Sequence, residues 1–207
     1  MQPEELLASP PTAPTLIHKL SSIIERLEVT GLFPANQPLE VELGSGDGSF
    51  LANYAKLHPE RNFLGIERLL GRLRKLDRKG LRAALENLRV LRIESAYLVE
   101  YLLPLQSVSA LHIYFPDPWP KRKHRKNRLV TPRFTEIAYD ALVPEGLVYL
   151  RTDDEDYFTQ MVTVFAGNSR FRLVETPPEL SAVVTDFERG FQARGINTLR
   201  AAYLKVT

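Results

Sequence analysis

The chain has 207 residues and a formal net charge of +2, so its length fits one domain and its overall charge does not indicate a nucleic-acid-binding protein. The absence of cysteine excludes disulfides, thiolate nucleophiles and cysteine-based metal sites. No apolar stretch reaches the length of a membrane span, and the first fifteen residues, which we interpret as a flexible proline-rich lead-in, lack the features of a signal peptide. We therefore expect a cytoplasmic protein.

The first half of the chain predicts strands that alternate with helices. Apolar residues at helical spacing predict a helix over residues 16–29. Strands are then predicted at residues 39–43, 62–67, 88–93 and 107–115, with helices at 49–58 and 68–88 and a short helix before the fourth strand.

The second half continues the same alternation. Thr131 and Pro132 predict the N-cap and first turn of a helix over residues 131–142. A fifth strand at residues 146–153, a helix at 155–166 and two final strands at 171–175 and 199–206 complete the prediction.

This order predicts a Rossmann-like α/β fold with a doubly wound, mostly parallel sheet. The last two strands lack a long helix between them, so we expect an antiparallel edge strand near the C-terminus. No repeat or linker divides the chain. We expect residues 1–38 to form the lead-in and a helix, and residues 39–207 to form the main domain.

A glycine-rich turn follows the first strand, with Gly44, Gly46 and Gly48 in a G-x-G-x-G pattern. This spacing differs from the G-x-G-x-x-G of dinucleotide folds, and Glu42 would repel a pyrophosphate. Glu67 ends the next strand, where an acid can accept both hydroxyls of a ribose. These features favour a nucleoside cofactor that carries positive charge and no phosphate, such as S-adenosylmethionine. The alternative is that the glycines only make a turn and the acids are solvated.

A proline-stiffened acidic turn, FPDPWP, follows the fourth strand. Asp117 stands between Pro116 and Pro118, which restrict the backbone around it and so aim its carboxylate. In open α/β sheets, ligands bind beyond the carboxyl ends of the strands, which is where Asp117 lies. The alternative is a turn in which Trp119 simply covers the core.

Two basic clusters flank this predicted mouth. The first cluster follows the acidic turn and contains Lys121, Arg122, Lys123, Arg125, Lys126 and Arg128. The second follows Glu67 and contains Arg68, Arg72, Arg74, Lys75, Arg78, Lys79 and Arg82. Such runs are often solvated loops or localisation signals, but their position favours a polyanionic substrate held through its phosphates.

The same segments resemble the bacterial tRNA (guanine-N7-)-methyltransferase family, over roughly residue 39 to the C-terminus. The matching motifs are E-x-G-x-G-x-G at residues 42–48, G-I-E at 65–67, FPDPWPKRKHRKNR at 115–128, R-T-D at 151–153 and T-D-F-E at 185–188, followed by Gly195. The PDPW turn that runs into a basic segment is the most specific of these. The resemblance implies that residues 39–207 form a methyltransferase domain acting on tRNA, at a variable-loop guanosine.

The resemblance also implies residue roles. Asp117 would be the catalytic residue at the reaction centre. The cofactor-binding residues would be Glu42, Gly44, Gly46, Glu67, Ser95, Ala96 and Asp117. The substrate-binding residues would be Lys121, Asp153, Thr185, Asp186, Phe187 and Glu188. The RNA-contacting residues would be Lys123, His124, Arg125, Lys126, Asn127 and Arg128.

This sequence departs from the family at the end of the third strand, where an Asp before Ala usually contacts the adenine. Here Ser95 takes that place, so the contact would fall to the backbone of Ser95 and Ala96 or to Glu94. The histidines at 18, 58, 112 and 124 show no ligand spacing, so we expect no metal, and His112 is expected in the core.

Guanine N7 carries a lone pair and no proton, so it can attack a methyl group without a general base. Catalysis would then depend on positioning and electrostatics, with Asp117 orienting the base and stabilising the positive charge of the product. Two alternative hypotheses are a methyltransferase that acts on another RNA or on a protein, and a non-catalytic RNA-binding module with a vestigial cofactor fold. An NAD oxidoreductase is disfavoured by the glycine spacing and Glu42.

Overall fold

A computed structural model describes residues 14–206, so most of the predicted lead-in lies outside the described residues. The strands are β1 (Leu39–Leu43), β2 (Asn62–Ile66), β3 (Leu88–Leu91), β4 (Val108–Tyr114), β5 (Leu142–Thr152), β6 (Phe171–Val174) and β7 (Leu199–Lys205). The α-helices are α1 (Leu51–Leu57), α2 (Leu70–Arg82), α3 (Ser95–Tyr97), α4 (Pro132–Ala141), α5 (Glu155–Ala166), α6 (Pro178–Ala182) and α7 (Asp186–Gln192). A π-helical turn at Leu98–Leu102 and a 3-10 helix at Arg122–Asn127 complete the elements.

The seven strands form one sheet in the order β3-β2-β1-β4-β5-β7-β6. Strands β1 to β5 pair in parallel, whereas β7 runs antiparallel to both of its neighbours. The predicted α/β class is therefore confirmed, with the antiparallel β7 one place in from the edge strand β6. The chain order reverses between β1 and β4, which is where open α/β sheets bind their ligands.

Strand β1 shows why the sheet has two different faces. Leu39, Val41 and Leu43 point into an aliphatic core on one face, because side chains alternate along a strand. Glu40 and Glu42 point to the other face and are buried there too. Buried carboxylates are expensive unless partnered, so this second face has to provide partners or a ligand.

The prediction of a helix over residues 16–29 was wrong. This segment is irregular, and Ile17 forms a parallel bridge to Val90 of β3. The backbone N–H of His18 donates to the carbonyl of Val90 at 2.9 Å, and the Val90 N–H donates to Leu16 at 3.0 Å. The segment thus provides hydrogen-bond partners for backbone groups at the edge of the sheet, on β3. Pairing with this edge outweighed the weak helical preference of the apolar spacing.

The region between β6 and β7 also differs from the prediction, because it contains the two short helices α6 and α7. Helix α7 begins with a capping box, in which the Thr185 hydroxyl accepts from the Glu188 N–H at 3.0 Å and the Glu188 carboxylate accepts from the Thr185 N–H at 2.9 Å. The T-D-F-E sequence carries the S/T-x-x-E signature of this cap. The helix start was therefore readable from the sequence.

Candidate active site

A cleft of about 350 Å³ opens at the carboxyl ends of the central strands. The register pairs Leu43 with Ile66 of β2 and with Ile113 of β4, which brings the three strand ends to one edge. Four of the predicted cofactor-binding residues line the cleft: Gly44, Glu67, Ser95 and Asp117. Elements distant in sequence therefore meet where the strand order reverses.

The glycine turn leaves its backbone open to a ligand. Gly44 and Gly46 have φ angles of 82° and 56°, in the left-handed region that favours glycine, and a Cβ added at either would meet no atom within 4 Å. Gly48 serves a different purpose, since a Cβ there would lie 2.3 Å from Leu76 of α2. Two glycines thus keep a surface free, and the third allows helix α2 to pack closely.

Glu42 is a buried carboxylate that lacks a full set of partners. Its Oε2 atom has no hydrogen bond within residues 14–206. Burial raises the pKa of Glu42 to about 8, although Ser45 and Arg151 oppose this shift. A cationic group that hydrogen-bonds to Glu42 would satisfy this oxygen and restore the charge, which fits the amino group of S-adenosylmethionine.

Glu67 is held in place by backbone donors. Its Oε2 accepts from the Gly46 N–H at 3.1 Å, and its Oε1 accepts from the Leu69 N–H at 2.7 Å. Each carboxylate oxygen has a further lone pair, so both can also accept from ribose hydroxyls. The glycine turn and Glu67 therefore form one preorganised cradle.

The end of β3 holds the departure from the family pattern. Ser95 and Glu94 line the cleft, whereas Ala96 does not. The Glu94 carboxylate caps α3 and accepts from the N–H of Ala96 at 3.0 Å and from that of Tyr97 at 2.7 Å. The Ala96 N–H is therefore already engaged, which leaves Ser95 as the predicted residue of this pair that faces the cleft.

The turn that carries Asp117 is bounded by two residues in a strained conformation. Phe115 and Trp119 have φ angles of 50° and 45°, uncommon for residues other than glycine and often found at functional sites. The Phe115 N–H donates to the Arg151 carbonyl at 2.8 Å, and Arg128 Nε donates to the Pro118 carbonyl at 2.7 Å. Asp117 is exposed and makes no hydrogen bond within the described residues, so its carboxylate is free to meet a substrate.

Arg128 departs from the expectation that it contacts RNA. It is 3% exposed, and its guanidinium reaches Asp156 at 2.6 Å and Gln160 at 2.8 Å in addition to Pro118. Arg128 therefore fastens the acidic turn to α5 and is not available to a phosphate in this conformation. Arg125 pairs with the same Asp156 at 3.0 Å but stays half exposed.

The remaining RNA-contacting candidates lie at the surface. Lys123, Lys126 and Asn127 are exposed, and Asn127 also lines the cleft. His124 is half-buried with its ring edge-on to Trp119, at a centroid distance of 5.9 Å.

The start of helix α7 lies beside Phe115, which lines the cleft, and beside the glycine turn. The Phe187 ring is 51% exposed and stacks on Phe115, with centroids 6.2 Å apart. The Asp186 N–H donates to the Ser49 hydroxyl beside the glycine turn at 3.1 Å. Thr185 is buried as the N-cap of α7, so it fixes the start of this helix.

Glu188 departs from the expectation of a substrate contact. It is 0% exposed, and its two oxygens bind Arg151 at 3.0 Å and Arg200 at 2.7 Å. Arg151 also donates to the carbonyls of Val183 and Leu180, and its guanidinium lies 4.2 Å from the centre of the Tyr114 ring. This buried ion cluster anchors the α6–α7 segment to β5. Sequence reasoning missed it because its members are 37 and 12 residues apart.

The two other substrate-binding candidates lie at the same edge. Lys121 is exposed just before the 3-10 helix, and Asp153 follows β5 and is half-buried. Asp154, the next residue, caps α5 by accepting from the Tyr157 N–H at 2.7 Å. Neither Lys121 nor Asp153 lines the cleft itself.

His112 lies in the core, as predicted. It is 0% exposed and links the Tyr114 hydroxyl, at 2.8 Å, to the Glu40 carboxylate, at 2.7 Å. Burial raises the pKa of Glu40, but hydrogen bonds and charge from His112 and Arg61 outweigh it and hold that pKa below its usual value. Glu40 is thus satisfied within the protein, in contrast to Glu42.

Residues 14–206 contain no cluster of three side chains suited to hold a metal ion. None of the helices in this range is both long and apolar enough to cross a membrane.

The sheet order, the open glycine turn and the carboxylates of Glu42 and Glu67 fit a Rossmann-like methyltransferase that uses S-adenosylmethionine. Solved structures agree on the fold. A crystal structure of the 16S rRNA methyltransferase KamB matches with a TM-score of 0.60 at 15% identity, over 83% of this chain and 89% of that one. A 30S ribosomal A1408 methyltransferase from an uncultured bacterium matches with a TM-score of 0.59 at 19% identity, over the same shares.

Sequence comparisons narrow the class. A family model described as a putative methyltransferase matches residues 36–201. A tRNA (guanine-N(7)-)-methyltransferase of Halorhodospira halophila is 34% identical, over 79% of this chain and 73% of its own. A tRNA (guanine-N(7)-)-methyltransferase of Myxococcus xanthus is also 34% identical, over 84% of this chain and 86% of its own. The chain belongs to the tRNA (guanine-N(7)-)-methyltransferase family, which confirms the expectation drawn from its motifs.

Proposed function

We propose that this protein transfers a methyl group from S-adenosylmethionine to N7 of a guanosine in the variable loop of tRNA. The observation that carries the proposal is the joint lining of one cleft by Glu67, which suits a ribose, and by the free carboxylate of Asp117, which suits a base. The family to which the chain belongs supports the same reaction. A tRNA substrate also implies a cytoplasmic enzyme.

The cofactor side of the cleft would be formed by β1 and β2. S-adenosylmethionine supplies a methyl group on a positively charged sulfur. Glu42 would bind the amino group, because its unpartnered Oε2 is the buried acceptor behind the glycine turn. Glu67 would accept from the ribose hydroxyls, and Ser95 would lie beside the adenine. Gly44 and Gly46 would leave room for these contacts.

The base side would be formed by Asp117. A carboxylate can accept hydrogen bonds from both N1–H and N2–H of guanine, and adenine cannot make this pair of donations. Because N7 has no proton to lose, Asp117 need not act as a base. Its negative charge would stabilise the positive charge that guanine gains as N7 becomes methylated, which is electrostatic stabilisation by a preorganised group.

The exposed Phe187 ring would provide a stacking surface for a base at the mouth of the cleft. Aromatic side chains recognise unstacked RNA bases in this way. Lys121, Lys123 and Lys126 are exposed and would hold the adjoining phosphates, which position the RNA rather than select its sequence.

The test uses labelled S-adenosylmethionine and unmodified tRNA transcripts. One transcript carries 7-deazaguanosine at the variable-loop position, which keeps the N1–H and N2–H edge and replaces N7 by carbon. We expect the deaza transcript to bind as well as its parent and to accept no methyl group. Equal methylation of both transcripts would refute N7 of that guanosine as the target.

A further inference from the structure

Helix α2 presents a long positive face to solvent. Its 13 residues extend over about 20 Å. Leu73, Leu76 and Gly80 pack against the sheet. The opposite side and the residue just before its N-cap carry six exposed cations: Arg68, Arg72, Arg74, Lys75, Arg78 and Arg82.

None of these six cations has an ion-pair partner within residues 14–206. The seventh cation of the segment, Lys79, pairs with Asp47 at 2.8 Å. The only acid of α2, Asp77, is engaged elsewhere and accepts from the Leu16 N–H at 2.7 Å. The positive face is therefore not neutralised by the segment that carries it.

The spacing of these residues makes the concentration of charge costly. Arg74, Arg78 and Arg82 stand four residues apart within α2, so like charges are neighbours along the helix surface. A globular protein with a net charge of only +2 has acids available to relieve this repulsion. Within residues 14–206 no acid pairs with these six cations, which favours binding of an external polyanion.

The face is continuous with the active-site cleft, because Arg68 and Arg72 line both. The other basic segment, which begins at Lys121, is tied to α5 by the pairs of Arg125 and Arg128 with Asp156. Helix α5 follows β5 and α2 follows β2, and these strands lie on either side of β1 and β4 in the sheet. A nucleic acid whose base enters the cleft would thus meet cations on two sides.

We propose that α2 is a second tRNA-binding surface, which holds the phosphate backbone of a stem next to the methylated loop. This inference rests on the proposed function. It assigns to Arg74, Arg78 and Arg82, which do not line the cleft, a role in affinity for tRNA and none in the chemical step. The contacts are electrostatic, so they depend on salt and not on sequence.

The test compares two double variants with the same loss of charge. Arg78→Gln/Arg82→Gln removes two cations from α2, and Lys56→Gln/Arg172→Gln removes two exposed cations from α1 and β6. Binding of unmethylated tRNA is measured across a series of salt concentrations, and methyl transfer is measured at saturating cofactor. We expect the α2 variant to raise the KM for tRNA about tenfold with kcat within twofold of wild type. We also expect the slope of log affinity against log salt to fall by about 1.4 to 1.8.

The control variant should match the wild-type protein in both measurements. If the α2 variant also matches it, while the wild-type protein methylates tRNA, this inference is wrong and the proposed function stands. If the wild-type protein does not methylate tRNA at all, the proposed function has failed. An equal loss in both double variants would show a general effect of charge and would also overturn the role of α2.

Discussion

The buried ion cluster around Glu188 leads to a prediction that separates a structural role from a substrate contact. The perturbation is Glu188→Gln, which keeps the shape of the side chain and removes its charge. In the wild-type protein the carboxylate is 0% exposed and bridges Arg151 and Arg200. The change leaves Arg151, itself 1% exposed, as a buried cation without its ion-pair partner.

The expected magnitude follows from these contacts. Removing one partner of a buried ion pair costs about 3–5 kcal/mol. The amide still accepts hydrogen bonds and Arg200 is partly exposed, so we expect the lower end, about 3 kcal/mol. For a domain of this size the unfolding midpoint should fall by roughly 6–12 °C. The variant should still fold, because domains of this kind are stable by about 5–15 kcal/mol.

Urea unfolding with an unchanged m-value and thermal unfolding measure this loss. The matched control is Glu179→Gln in α6, which removes an exposed charge and should change the free energy of unfolding by less than about 0.5 kcal/mol. If Glu188→Gln unfolds like the control but loses affinity for tRNA, the carboxylate serves the substrate and our assignment is wrong.

Three further predictions concern the cleft. Because burial raises the pKa of Glu42 to about 8 without a ligand and a cationic partner lowers it, cofactor binding near pH 7 should release a proton from this carboxyl group. Calorimetry in buffers of different ionisation enthalpy measures this proton release. Glu42→Gln should abolish the release, and a binding heat of the wild-type protein that does not depend on the buffer would contradict the prediction. Phe187→Ala should raise the KM for tRNA by roughly 5- to 150-fold, which is equivalent to about 1–3 kcal/mol of stacking. The control Phe187→Tyr keeps an aromatic ring and should have a KM near that of the wild type. An unchanged KM in the Ala variant would exclude stacking on Phe187. For Asp117, two tRNAs are compared, one with guanosine and one with inosine at the target position; inosine lacks the N2–H donor. The wild-type enzyme should methylate the inosine tRNA more slowly, whereas Asp117→Asn should be slow on both tRNAs with little preference. Equal rates of the wild-type enzyme on the two tRNAs would show that Asp117 does not select the base.

The Glu42 shift also has a consequence for stability. The pKa of Glu42 in the folded protein is about 8, above its ordinary value of 4.5. The stability that the protonated carboxyl contributes is therefore fully present below pH 4.5 and is lost as the pH rises through 8. Bound cofactor reverses this trend at the same residue, since it favours the ionised carboxylate.

Local sequence patterns were sufficient for most of the strands and for the edge of the sheet where the site lies. Glu67 and Asp117 each follow a strand, and parallel strands bring their carboxyl ends together, so the meeting of these two residues at one cleft was predictable. The prediction of a helix over residues 16–29 was wrong because a tertiary contact, the pairing with β3, determines the conformation of this segment. The start of α7 was encoded in the capping box and was overlooked.

The partners of buried charges could not be read from the sequence. Arg128 belongs to a basic run, and nothing in that run distinguishes it from Lys126. Only the fold brings Asp156 and the Pro118 carbonyl to Arg128 and so removes it from the surface. The same holds for Glu188, whose motif suggested a substrate contact and whose burial assigns it to Arg151. Long-range ion pairs depend on the packing of whole elements, which periodicity does not describe.

The most direct test of the account is to identify the product nucleoside. Unmodified tRNA is incubated with the protein and S-adenosylmethionine, digested to nucleosides and analysed by mass spectrometry, with the methylated position mapped on the intact tRNA. We expect 7-methylguanosine, at one position in the variable loop. A methyl group on another atom or another base, or none at all, would contradict it.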